Sequence, residues 1–139
     1  MKDVQIKLSA LWAARMLAGL QGDTLRSSDA VALKELIAGE TAIPVTPEFL
    51  LVFAILFVIP ISMVYLSLTL KDKANRRANL ILGIFFVGFD LVFLILILFV
   101  FPAAPAYDKF FAFVYPVFTG LVVWQAWKWP KQESVEVSP

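Results

Sequence analysis

Neither cysteine nor histidine occurs anywhere in the 139 residues. Without thiols there is no disulfide framework and no cysteine nucleophile. Without imidazole, the usual ligand sets of zinc, haem and copper sites cannot be assembled. Triads and general-base chemistry built on histidine are excluded for the same reason. An excess of charge of one sign is missing too, with 12 basic residues set against 11 acidic ones. That balance excludes a broad basic footprint for nucleic acid. The sequence therefore predicts no catalytic residue, no metal site, no cofactor and no nucleic-acid partner.

What the chain has in abundance is hydrocarbon. Hydrophobic residues make up 60% of it and the mean hydropathy is +0.82, against roughly 45–50% apolar residues in an ordinary soluble domain. Three apolar runs are long enough to cross a bilayer core, which takes roughly 20 helical residues. They are "FLLVFAILFVIPISMVYLSLTL" (49–70), "NLILGIFFVGFDLVFLILILFVF" (79–101) and "FFAFVYPVFTGLVVWQAWKW" (110–129). A weaker run, "LSALWAARMLAGLQG" (8–22), is broken by Arg15. Lys2 and Lys7 precede it as in a signal peptide, but the internal arginine and the lack of a cleavage site argue for a retained helix. The expected fold class is an all-α membrane protein, a four-transmembrane-helix bundle in a single domain, 1–139. Its spans are predicted at about 7–23, 48–70, 78–101 and 109–129, with a connection at 24–47, a loop at 71–77 and a tail at 130–139.

Helix punctuation supports these limits. Thr46 is suited to cap a helix with Pro47 at its first position and Glu48 in the first turn, near the positive dipole end. Pro60 and Pro116 fall inside spans, where each removes a backbone hydrogen bond and favours a kink that neighbouring helices tolerate. In the first connection, Ser28 or Asp29 can cap a short amphipathic helix that places Val31, Leu33, Leu36 and Ile37 on apolar positions and stops at Gly39. Such a helix is expected to lie on the membrane surface or to cap the bundle.

Orientation follows from the basic residues of short loops. With four spans, one side collects Lys2, Lys7, Lys71, Lys73, Arg76, Arg77, Lys128 and Lys131. The other has only Arg26, Lys34 and Lys109 against Asp23, Asp29, Glu35, Glu40, Glu48 and Asp108. Both termini are therefore expected in the cytoplasm. Trp124, Trp127 and Trp129 are predicted to form an interfacial belt. "KDKANRR" reads first as a topology signal, with contact to anionic lipid as the sharper alternative.

Asp90 is the anomaly. It lies about 16 Å beyond Asn79 along a helix, close to the bilayer midplane, where a carboxylate must face the bundle or water. Arg15 lies about 12 Å beyond Lys7 on a helix running in the same direction, so the two can meet as an ion pair. At about 100° per residue, Trp12, Arg15, Gly19, Asp23 and Arg26 share one side of the first helix. Ala10, Ala14, Ala18 and Gly22 form a small-residue ridge beside it, a candidate surface for a homo-oligomer. Asn79, Gly83, Phe86 and Asp90 share a face of the third span. Tyr65, Ser62, Tyr115, Thr119 and Gln125 could complete a polar interior. The candidate cluster is thus Arg15, Asp90, Asp23, Trp12, Tyr65, Tyr115 and Gln125. Each member has a plainer reading: membrane serines and threonines bond their own helix carbonyls, tyrosines mark interfaces, and an Arg–Asp pair can simply lock helix register.

Parts of the chain resemble a family of small four-helix prokaryotic membrane proteins with no assigned function. The resemblance rests on "KLSALW", "GDTL", "FLLVFAILFVIPISMVYLSLTLKDKANRRANLI" and the closing "WQAWKW", and more loosely the architecture is similar to the DoxX type. It implies a four-helix bundle with both ends inside, and no substrate, cofactor or catalytic residue. Two functional classes follow. One is a non-enzymatic bundle binding a lipid-like or small amphipathic ligand, or a membrane partner, among membrane lipids. The other is a transporter or channel subunit with Asp90 as a proton or cation site. An intramembrane enzyme using Asp90, Asp23 and Arg15 has the least support.

Overall fold

A computed structural model describes residues 2–41 and 43–129. The tail expected at 130–139 lies outside the described residues. The described chain forms helices α1 (Asp3–Ser28), α2 (Ala30–Ala38), α3 (Pro47–Thr69), α4 (Asp72–Ile95) and α5 (Ala106–Lys128). Among the described residues there is no strand. By length and composition three helical segments could cross a membrane: α3, α4 with its continuation to Val100, and α5. Helix α1 is about 39 Å long at 1.5 Å per residue, but its polar residues keep it outside that group.

The local signals explain most boundaries. Thr46 Oγ1 accepts the Phe49 amide at 3.1 Å, and Pro47 starts α3. Asp29 Oδ1 accepts the Val31 amide at 3.0 Å and caps α2. Gly39 ends that helix in the left-handed region at φ 73°, a conformation that costs a residue without a side chain little. Pro60 and Pro116 lie inside continuous helices.

Two local expectations are corrected, and one further feature stands out. The stretch 71–77, predicted as a loop, is helical from Asp72 onward and forms the first turns of α4. Its charges hid the helix, yet Asn75 faces inward from it. The carboxyl end of α4 widens into a π-helical turn, Leu96–Val100, closed by the Phe101 amide on the Leu96 carbonyl at 2.8 Å. Single π turns of this kind re-aim the residues that follow. Of the predicted tryptophan belt, Trp124 and Trp127 are exposed, but Trp129 is buried in the core cluster.

Helix α1 packs against both α3 and α5, and α5 against α4. Across the seam between α3 and α4 the backbones keep their distance, and phenylalanine rings bridge it: Phe57 meets Phe89 at 5.8 Å and Phe53 meets Phe89 at 6.4 Å. Helices α4 and α5 approach more closely, since a Cβ on Gly83 would stand 2.9 Å from Val123 Cγ2. The core of Leu8, Trp12, Met63, Phe86, Val122 and Ala126 lies where α1, α3, α4 and α5 converge. The most polar long helix thus contributes Leu8 and Trp12 to the core, while its outward residues Ile6, Leu17 and Leu20 stay exposed.

Candidate functional site

Two polar layers cross this otherwise apolar interior. In the first, Asp90 of α4 is wholly buried and Arg15 of α1 is 4% exposed. Arg15 Nε donates to Asp90 Oδ2 at 3.0 Å and Nη2 to Oδ1 at 2.6 Å. This two-point fit between a planar fork and a carboxylate is the strong form of the interaction. Thr119 Oγ1 of α5 lies 3.1 Å from Asp90 Oδ2 and 3.2 Å from the Tyr115 carbonyl, two acceptors for one proton. The guanidinium carbon lies 4.0 Å from the centroid of the Tyr115 ring, where the ring's negative face favours a cation. Three helices thus enclose one pair of opposite charges, and the local net charge is zero.

Close packing around the pair depends on α1 glycines. A Cβ on Gly19 would meet Arg15 Nη1 at 3.0 Å, and one on Gly22 would meet the Tyr115 hydroxyl at 2.6 Å. Gly22 of the small-residue ridge therefore packs within the chain, whereas Ala10 is exposed.

The second layer is built from neutral amides. Trp12 Nε1 donates to Asn79 Oδ1 at 2.7 Å, and Ser67 Oγ donates to the same oxygen at 3.3 Å. Asn79 Nδ2 in turn donates to Asn75 Oδ1 at 2.7 Å. Asn75 Nδ2 reaches the Ser67 carbonyl at 2.7 Å and the Leu70 carbonyl at 3.3 Å, covering the open end of α3. Trp12 also meets the Phe86 ring edge-on at 5.9 Å, so this aromatic pair separates the amides from the charges. Among the described residues, no buried side-chain nitrogen or oxygen lacks a hydrogen-bond partner.

The predicted cluster is only partly assembled. Arg15, Asp90 and Tyr115 meet, with Thr119, and Trp12 belongs to the amide layer. Asp23 instead lies at the exposed end of α1, where Arg26 approaches it at 3.4 Å and pairs with Asp108 at 2.6 Å. Tyr65 is 68% exposed, on the outer side of α3. Gln125 is half-buried and joins neither layer. Ser62 is exposed and donates to the Val58 carbonyl at 2.8 Å. For Ser62 the plainer reading holds, since it bonds a carbonyl of its own helix, and Tyr65 is simply turned outward. Asn75 and Ser67 were missed. The signal for Asn75 was its four-residue spacing from Asn79, which stacks two amides on one helical face; Ser67 had none.

At the end of the bundle near Arg26, Tyr107 donates its hydroxyl to Asp29 Oδ2 at 2.7 Å. That bond, aided by the amides of Ala32 and Val31, holds the Asp29 carboxyl below its ordinary value. The same carboxylate caps α2 and ties it to α5. Among the described residues, no group of acidic side chains could hold a metal ion.

The chain belongs to a family of unknown function, DUF6326, whose model matches residues 2–136. No curated protein and no solved structure matches it.

Proposed function

We propose that the protein is a non-enzymatic four-span membrane bundle that acts by binding a lipid-like molecule or a membrane partner. In this reading α1 is the fourth span, and the Arg15–Asp90 pair is the lock that lets so polar a helix remain within the membrane. One observation carries it: both Asp90 oxygens are taken up by groups of the chain itself. A carboxylate engaged by Arg15 at two points, with Thr119 beside it, is suited to fixing the register of α1 against α4 and α5. It offers little to a passing proton or cation. The amide layer supports the same view, because its donors and acceptors are also satisfied internally.

Recognition then falls to the outer surfaces rather than to the polar interior. The exposed apolar faces of α3 and α4 suit lipid or another membrane helix. The apolar side chains of α2, with Val31 68% and Ile37 79% exposed, suit the membrane surface. The distribution of lysine and arginine supports termini on the cytoplasmic side of a prokaryotic plasma membrane.

The test compares wild type and Asp90→Asn in proteoliposomes, with ion flux and folded fraction followed together. We expect wild-type flux equal to that of empty vesicles. Flux above that background, lost in Asp90→Asn while the protein stays folded, would establish the transporter reading instead.

A further inference from the structure

The amino-terminal turns of α4 contain cations that the fold leaves unused. Several other basic side chains at this end of the bundle have partners, while Lys71, just before α4, is exposed. Lys2 pairs with Asp72, and Lys7 with Asp3 at 3.1 Å. Arg76 Nε donates to the Ala126 carbonyl at 3.2 Å, and Lys128 Nζ lies 4.8 Å from the Trp124 ring. Lys73 and Arg77 are exposed and, among the described residues, have no ion-pair partner. Lys73 also sits in the first turn of α4, near the positive end of its dipole, where a cation is disfavoured, and Arg77 lies four residues on, where two like charges repel. Neither charge stabilises the helix that bears it.

Their position on α4 gives them a use. At about 100° per residue, Lys73, Arg77, Ile81, Ile84 and Gly88 fall within about 80° of one another. This is an outward stripe, with Ile81 67% and Ile84 60% exposed. At Gly88 a side chain would meet nothing within 4 Å, so the stripe has a notch there. From Arg77 to Gly88 is about 16 Å along the helix, near half of a hydrocarbon core about 30 Å thick. That is the depth of one leaflet.

We propose that this stripe is a binding site for an anionic phospholipid, its headgroup held by Lys73 and Arg77 and its acyl chain laid along Ile81 and Ile84 into the notch at Gly88. Charge complementarity selects the headgroup. Two unneutralised cations attract a lipid of net negative charge and leave a zwitterionic one without advantage. The notch separates a seated lipid from a diffuse counter-charge, because only a chain-bearing ligand can use it. The site requires only that α4 lie in the membrane, so it stands or falls separately from the role given to Arg15 and Asp90.

The experiment counts lipids retained by the purified full chain in native mass spectrometry, with phosphatidylglycerol and phosphatidylcholine supplied in equal amounts. We expect phosphatidylglycerol to be retained preferentially. The double variant Lys73→Ala/Arg77→Ala should lower that retention by about twenty-five-fold, since each cation near an anionic surface contributes about fivefold in occupancy. Gly88→Leu, which keeps both charges and fills the notch with an exposed side chain, should also lower it. Glycerol 3-phosphate, a headgroup without a chain, should fail to displace the bound lipid. Equal retention of the two lipids would overturn the proposal. So would retention unchanged in Gly88→Leu, or displacement of the lipid by glycerol 3-phosphate, because either assigns the binding to charge alone.

Discussion

Replacing Arg15 by methionine removes the guanidinium while keeping much of the side-chain stem, so the loss falls on charge rather than on packing. Asp90 is wholly buried and Arg15 is 4% exposed. The stranded carboxylate would keep only the Thr119 hydroxyl as a partner. Removing one member of a buried pair costs about 3–5 kcal/mol. Loss of the Tyr115 contact, about 0.5–2 kcal/mol, adds to this. Asp90→Leu should cost a similar amount by stranding the arginine. The double variant Arg15→Met/Asp90→Leu places apolar side chains on both sides of the gap and should recover most of the loss, because apolar replacements of buried pairs are often neutral or stabilising. Unfolding would be followed by tryptophan fluorescence as denaturing detergent is titrated into mild micelles, with the four proteins forming a double-mutant cycle. A coupling of about 3 kcal/mol or more is expected for groups in contact at this burial. Single variants within about 0.5 kcal/mol of wild type, or a double variant as unstable as the sum of the singles, would refute the lock.

Gly22→Ala should destabilise by about 1–3 kcal/mol through overpacking, since its methyl group would stand 2.6 Å from the Tyr115 hydroxyl; adding Tyr115→Phe should restore stability in the same titration. Trp12→Phe removes the donor to Asn79 and should cost about 1–3 kcal/mol, measured against wild type by thermal aggregation in micelles. Acid should loosen the attachment of α2: the folded Asp29 carboxyl lies below its ordinary value of 3.8. Its contribution is therefore full above that value and is lost as pH falls through the lowered one. Hydrogen exchange at the Val31 and Ala32 amides should stay slow at pH 6 and, after correction for intrinsic rates, become faster below about pH 4; protection unchanged there would show that α2 is held by other contacts.

Run length and capping residues were enough to locate α3, the body of α4, α5 and the short α2. Depth counted along the helices was enough to set Arg15 opposite Asp90, because rise per residue does not depend on neighbours. Rotation was less accessible. Whether Tyr65 or Ser67 faces inward depends on how α3 turns toward α1, and the near-uniform hydropathy of α3 gives no phase. Asn75 was hidden for another reason: it sits among lysines and arginines, in a stretch whose charge suggests a loop. Its helical conformation is supported by tertiary bonds to Ser67 and Leu70. The π turn at Leu96–Val100 has no signal in a run of leucine, isoleucine, phenylalanine and valine.

The separation of Arg15 from Asp90, 75 residues along the chain, bears on biogenesis. At about 5–20 residues per second, roughly 4–15 s pass between synthesis of the arginine and of its partner. During that interval a membrane-crossing α1 would hold an uncompensated cation, at a translocon cost of about 2.5–3.5 kcal/mol. On the four-span reading α1, made before α3, α4 and α5, is therefore suited to be among the last of these helices to settle. It would wait at the bilayer surface, or in the care of an insertase, until the later hairpin delivers the acid.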